Sequence, residues 1–153
     1  PFVKVGQFGL LKPKINEWTT SPKRVVDEKH ILLCVVGATV GKINLGIKCS
    51  IGRSVAGLLP NDLILKQLYL YNFLKTWTLA LRKKSRGSAI GTINRKTINN
   101  VLIPIPPLPE QKNIIIRIEK LMTLCDQLES QITDSKKNAD MLMKSILQEA
   151  FAS

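Results

Sequence analysis

The strongest constraint on how this chain folds lies at residues 103–121, Ile-Pro-Ile-Pro-Pro-Leu-Pro-Glu-Gln-Lys-Asn-Ile-Ile-Ile-Arg-Ile-Glu-Lys-Leu. Pro104, Pro106, Pro107 and Pro109 fall within six positions. Each proline fixes its own φ and restricts the residue before it, so the segment is expected to run extended. Pro109 suits the first position of a helix, where its missing N–H has no intrahelical acceptor to lose. Glu110 follows in the first turn, favourably placed for the helix dipole. The pattern predicts a stiff connector that opens a long helix.

The regions on either side of that connector differ in charge. Residues 1–109 carry 17 Lys/Arg against 4 Asp/Glu, whereas residues 110–153 carry 6 against 7. The whole net charge of +12 therefore resides in the first region. A surface that is merely solvated mixes its signs, and an excess this lopsided favours a polyanionic partner. Nucleic acid is the first such partner and an anionic membrane surface the competitor.

A length of 153 residues with 44% hydrophobic content accommodates one domain of ordinary size plus an appendage. Cys34, Cys49 and Cys125 are odd in number and widely spaced, which suits buried apolar positions in a reducing cytosol better than disulfides or zinc. The longest apolar stretch, 63–81, contains Lys66, Gln67, Asn72 and Lys75 and makes a poor membrane span. No signal peptide or transit-like segment is recognisable. A cytoplasmic location and no membrane contact are expected. The chain opens inside an expected strand, so an incomplete N-terminus is expected too.

Phe2–Val5 is a short strand candidate, and residues 6–24 read as loop. His30–Val36 is a near-continuous apolar run, as in a strand buried on both faces, and Gly37–Lys42 is a tight turn. Ser54–Leu59 is another strand candidate. Asn61 or Asp62 is expected to cap a helix through Leu63, Leu65, Leu68, Tyr69, Phe73 and Leu74. A second helical piece follows to about Lys84, and Val101–Ile105 reads as a final edge strand, where prolines belong. The fold class is α+β: a small mixed or antiparallel sheet with a helical pair over residues 1–108, then one long coiled-coil helix over 109–153.

In that last region Ile114, Ile118, Leu121, Cys125, Leu128, Ile132, Ser135, Ala139, Leu142 and Ile146 recur at alternating spacings of four and three. Such a stripe marks a helix that packs along another helix. At about 1.5 Å per residue it spans roughly 60 Å. A lone helix with a wet apolar stripe is marginal in water, so a partner is expected. The plainer alternative is that the stripe folds back on its own domain.

Catalytic motifs fail on inspection. Gly37-Ala-Thr-Val-Gly41-Lys42-Ile43 has three residues between its glycines and Ile after the lysine, where a phosphate-cradling loop needs four and a Ser or Thr. The turn can still offer backbone N–H groups and Lys42 to a phosphate of a larger polyanion. Asp27-Glu28-Lys29 resembles a piece of a nuclease site, but the first region has only Glu17 and Asp62 besides to hold a metal. The single histidine, His30, opens an apolar strand and reads as structural. Pro106-Pro107 lacks the Asn/Asp before it and the aromatic after it that amino-group methylation of DNA requires. Binding is left.

Three basic clusters occupy loop or element-end positions: Lys12, Lys14, Lys23 and Arg24; Lys42 and Arg53; and Arg82, Lys83, Lys84 and Arg86. Most are expected on phosphates, where they set register. A minority, among Arg53, Arg86, Ser54, Ser85 and Ser88, are placed to reach base edges, where arginine pairs with guanine. For each residue alone, a solvated charge is the simpler reading.

Pro104-Ile-Pro-Pro-Leu-Pro-Glu-Gln111 before a long isoleucine- and leucine-rich helix resembles the conserved region of the DNA-specificity subunit of type I restriction–modification systems. Val36–Lys42, Ile51–Ala56 and Pro1–Lys4 resemble the body of that family's target recognition domain, and Gly87-Ser88-Ala89, Ile93 and Asn100–Pro104 its closing segment. The resemblance implies a non-catalytic subunit whose recognition domain reads one half of a split site on double-stranded DNA. It implies a helix that spaces the half-sites, pairs with a second helix and docks methyltransferase subunits, with a homodimer as one way to complete the pair. S-adenosylmethionine, ATP and magnesium would then sit on the modification and restriction subunits, none on this chain. The chain departs from the family in having one recognition domain and one helix, which leaves a truncated half-subunit acting mainly in assembly as the alternative.

Overall fold

The computed structural model describes residues 1–84 and 92–151, without the side chains of 82–84. Its elements run β1 (Phe2–Val3), a 3-10 turn (Val5–Gln7), β2 (Val25–Val26), β3 (Ile31–Cys34), β4 (Ile43–Leu45), β5 (Cys49–Ile51), β6 (Val55–Leu58), α1 (Gln67–Lys84), α2 (Arg95–Asn99) and α3 (Leu108–Phe151). They divide into two compact units, Pro1–Lys112 and Asn113–Ser153. The class is α+β.

The first unit holds two three-stranded sheets, ordered β1-β5-β2 and β4-β3-β6. The first is mixed, with β1 parallel and β2 antiparallel to β5, and the second is wholly antiparallel. Val3, Val26, Cys49 and Ile51 from one sheet meet Leu32 and Val55 from the other in a single core, with Val5, Phe8, Ile15 and Ile47 packed around it. The apolar run at β3 is explained by its central place. Leu32 enters that core, while Ile31 and Leu33 share a face with their β4 neighbours Leu45 and Ile43, and α1 packs against β4. All four residues of β3 are buried.

The hairpin between β3 and β4 is the glycine turn. Gly37 and Gly41 take φ of 94° and 82°, left-handed values that a Cβ would strain. The Val40, Gly41 and Lys42 N–H groups donate to the carbonyls of Gly37, Cys34 and Thr39. Those three donors close the turn, so they are not offered to a phosphate; what this hairpin presents is the exposed Lys42 side chain.

Residues 8–24 contain no element yet are tied down. Asn44, 1% exposed, bonds both the N–H and the carbonyl of Gly9 at 3.0 Å. Gln7 Nε2 donates to Asn16 and Glu17, and Phe2 N–H donates to the Glu17 carbonyl.

Several expectations require correction. β1 ends at Val3, because Gln7 Oε1 accepts the Lys4 N–H and draws the chain into the 3-10 turn. Asn61 accepts the Leu63 N–H on its side chain and the Ile64 and Leu65 N–H groups on its carbonyl, closing a turn of its own. The helix begins only at Gln67 and then runs unbroken to Lys84, so the second helical piece expected there is the same helix. Val101–Ile105 forms no strand; Tyr69 Oη donates to the Pro104 carbonyl and Gln111 Nε2 to that of Pro106, satisfying carbonyls that a ladder would otherwise use. Val36 and Thr92 make an isolated bridge instead. Cys34 and Cys49 are buried as expected, whereas Cys125 is exposed.

α3 opens at Leu108, with Pro109 next and Gln111 N–H returning to the Pro107 carbonyl at 3.0 Å. Gln111 is fully buried. Its Oε1 accepts the Lys66 N–H at 2.8 Å, and its Nε2 donates to the carbonyls of Ile64 and Pro106 at 2.8 Å each. One amide thus joins the turn before α1 to the proline connector. Among the described residues no helix is long and apolar enough to cross a membrane.

Candidate nucleic-acid interface

Strand register decides which cations meet. β1 and β5 run parallel with Val3 opposite Ile51, so the next residues, Lys4 and Gly52, emerge from the same end of the sheet. β2 runs the other way with Val25 opposite Ser50, which brings Arg24 and Lys23 in at that same end. Gly52, Arg53 and Ser54 then carry the chain from the first sheet into β6 of the second. Three segments distant in sequence therefore border one cleft of about 810 Å³, with Lys4, Lys23, Arg24 and Arg53 among its lining residues and Thr19, Ser21 and Ser54 beside them.

The local bonding fixes some of these groups and leaves others free to engage a ligand. Arg24 Nη2 donates to the Gly52 carbonyl at 2.7 Å, and the Arg24 carbonyl accepts the Ile51 N–H at 2.9 Å. Gly52 N–H donates to Val3, Val55 N–H to Gly52 and Val35 N–H to Ser54. The backbone around Arg53 is thus held from both sheets. Lys4 Nζ stands 2.6 Å from Glu17 and 5.4 Å from the Phe2 ring centre. That ammonium holds the Glu17 carboxyl below the usual carboxylate range. Lys23 and Arg53 are exposed and, among the described residues, have no ion-pair partner.

The remaining predicted residues are scattered. Lys12 and Lys14 are exposed on the tethered loop, outside the cleft, and Lys42 is on the β3–β4 hairpin. Lys83 and Lys84 end α1, and Arg86 lies outside the described residues, as do Ser85 and Ser88. Of the polar residues expected to contact DNA, the cleft gathers Lys23, Arg24, Arg53 and Ser54. Lys4 was missing from that expectation, as was Arg95, which with Arg24 borders a second cleft of about 800 Å³. Both depend on non-local pairing that no local motif announces.

Asp27 is committed elsewhere. Its carboxylate lies 2.7 Å from His30 Nδ1 and accepts the Lys29 N–H, and the His30 contact followed by that amide bond depresses its pKa. The Asp27-Glu28-Lys29 run is therefore a turn-closing device. In the helical unit, Leu121, Leu128, Ile132, Leu142 and Ile146 are exposed along α3, while Ile114 and Ile118 are half-buried.

Comparison with known proteins gives this arrangement its context. Residues 1–135 match the family described as type I restriction modification DNA specificity domain. The chain is 32% identical over 133 residues to the EcoBI type I restriction enzyme specificity subunit of Escherichia coli, covering 82% of this chain and 27% of that protein. It is 31% identical over 142 residues to a putative MjaX specificity subunit of Methanocaldococcus jannaschii, covering 90% and 33%. Among solved structures, a chain from work on complex assembly and conformational transition of the type I R-M system superposes with a TM-score of 0.84 at 30% identity, over 99% of this chain and 38% of that one. The HsdS subunit of Thermoanaerobacter tengcongensis gives 0.71 at 31% identity, over 84% and 30%. The chain thus spans about a third or less of the curated relatives named here. By its sequence and its fold, it belongs to the type I restriction–modification DNA specificity family.

Proposed function

We propose that this chain is a DNA sequence-recognition module that reads one half of a bipartite target on double-stranded DNA. The observation that carries the reading is the convergence of Lys4, Lys23, Arg24 and Arg53 at one end of one sheet. Side-chain cations gathered on a rigid scaffold provide the phosphate grip from which base edges are read. The module itself performs no chemistry in this reading. Methylation and cleavage, with S-adenosylmethionine, ATP and magnesium, belong to modification and restriction subunits that it recruits.

The test is duplex binding measured across salt and across sequence. Affinity is expected to fall steeply and linearly in logarithmic salt while discrimination among duplexes persists. Equal affinity for every duplex at moderate salt sinks the reading.

A second role has its own observation, the exposed apolar residues Leu121, Leu128, Ile132, Leu142 and Ile146 on α3. We infer that this stripe pairs with a second helix, supplied by another copy of the chain or by a partner subunit. Leu121→Glu with Leu128→Glu is expected to abolish association in sedimentation experiments; an unchanged profile refutes pairing through α3.

A further inference from the structure

The cleft contains two kinds of cation, and they suit two kinds of contact. Base readout demands a whole guanidinium fork left free on a firmly placed backbone. A bidentate pair with a guanine edge uses two N–H groups of the fork at once and tolerates little error in where it starts. A phosphate tolerates a flexible point charge, since it can be approached from many directions. Arg53 has that backbone, and its fork is not engaged by any other group among the described residues. Gly52 before it donates to Val3 and accepts from Arg24, Ser54 after it accepts the Val35 N–H, and the Val55 N–H returns to the Gly52 carbonyl, so the turn is braced from both sheets. The side chain itself is exposed and has no ion-pair partner among the described residues. Planar, forked and always charged, its guanidinium needs no acid to orient it and meets none here.

The other three suit phosphates. Lys23 is an exposed ammonium on a long stem in the stretch leading into β2. Arg24 already spends part of its fork on the Gly52 carbonyl, leaving its outward N–H groups as a fixed point of positive charge. Lys4 is shared with Glu17.

We infer that Arg53 is the base-reading residue of the cleft, pairing with a guanine in the major groove, while Lys23 and Arg24, entering from the β2 side, hold the DNA backbone beside it. This assignment rests on the DNA-recognition reading and specifies which side chain delivers its sequence preference.

The experiment is a binding selection on randomised duplexes with the full chain, assembled with modification subunits, comparing wild type with Arg53→Ala, Arg53→Lys and Lys23→Ala. Arg53→Ala is expected to abolish preference for guanine at one position, a loss of roughly 5- to 150-fold in discrimination there, with other positions retained. Arg53→Lys keeps the charge but not the fork, and is expected to relax the same position with a smaller loss of total affinity. Lys23→Ala is expected to weaken all sequences alike and to lower the salt slope by about one. Thermal melting of each variant, matched to wild type, separates these effects from misfolding. If Arg53→Ala weakens every duplex equally and leaves each preference intact, the assignment is overturned. If the wild-type protein itself selects no sequence, the broader DNA-recognition reading fails instead.

Discussion

Leu32 and Leu128 are the same side chain in two physical situations. Leu32 lies on the central strand of an antiparallel sheet and is 0% exposed, packed among Val3, Val26, Cys49, Ile51 and Val55. Leu128 lies on α3 and is 49% exposed. The first residue's apolar surface is removed from water by its own unit; the second waits for a neighbour that the unit does not contain. Charge divides the same way, with the cation excess in residues 1–109 and near balance in 110–153. One region completes its own core and leaves its charge unmatched. The other balances its charge and leaves its apolar stripe unmatched. Each deficit specifies a different partner.

The sharpest way to break this contrast is one substitution made twice. Leu32→Ala removes buried methylenes and leaves a cavity, and is expected to cost about 2–5 kcal/mol. Leu128→Ala in the dilute chain is expected to change stability by only about 0.5 kcal/mol or less, as for an ordinary surface site. Urea unfolding of both variants reads the difference, and comparable losses at low concentration would mean that α3 already has its partner. Raising protein concentration should then penalise only Leu128→Ala, through weakened association.

How far this contrast was legible in the sequence depended on whether the determining interactions were local. The β3 run, the left-handed glycines at 37 and 41, the proline junction and the α3 stripe each carry a local signal, and each forms at or near its expected place. β2, β4 and β5 do not, being two or three residues long with sequences such as Cys49-Ser-Ile51. Their strand conformation comes from pairing with distant segments, and periodicity has no length over which to act. The same reason hides Lys4 from a sequence reading, since it joins Lys23 and Arg53 only through the register of β1, β5 and β2. The Asn61 cap misleads because a short polar side chain closes a turn as readily as it starts a helix. Val101–Ile105 misleads for a different reason: its apolar residues suit an edge strand, but Pro104 has no N–H to give a ladder and its carbonyl is taken by Tyr69.

Gln111 offers the next largest effect, at the edge of the first unit. Gln111→Ala would leave the Lys66 N–H and the Ile64 and Pro106 carbonyls without their present partner in a partly buried place. A cost of about 2–3 kcal/mol is expected, since unsatisfied buried groups are penalised more than a hydrogen bond gains. Gln111→Glu should also destabilise, because a carboxylate accepts but cannot donate to two carbonyls. A melting temperature unchanged in both variants would show that the connector is held by its prolines alone.

A smaller effect separates the two regions by charge. Replacing Lys23 and Arg24 with alanine is expected to reduce the slope of log affinity against log salt by about 0.9 for each phosphate that is no longer neutralised. Replacing Lys136 and Lys137, which lie on α3, should leave that slope unchanged if the DNA surface belongs to the first unit alone. Equal changes in both double variants would erase the proposed division of labour.

The smallest effect concerns acid. Asp27 is held below its ordinary pKa of 3.8 by His30 and then by the Lys29 amide, and Glu17 below its ordinary 4.5 by Lys4. A carboxyl depressed in the folded state binds more protons when unfolded, so stability rises with pH across its range. The contribution is complete above the unfolded values and is lost as pH falls through the lower folded ones. Both groups are substantially exposed, 49% for the Asp27 side chain and 38% for that of Glu17, so solvent screens the pairs and the change is small. Urea midpoints measured from roughly pH 6 down to 3 should therefore decline for the wild-type chain. Asp27→Asn removes one of the two titrations: its midpoint starts lower near pH 6, and its curve converges on the wild type as acid protonates Asp27 there. Parallel curves over the whole range would show that the His30–Asp27 contact contributes nothing to folding, and would move the origin of any acid sensitivity away from this turn.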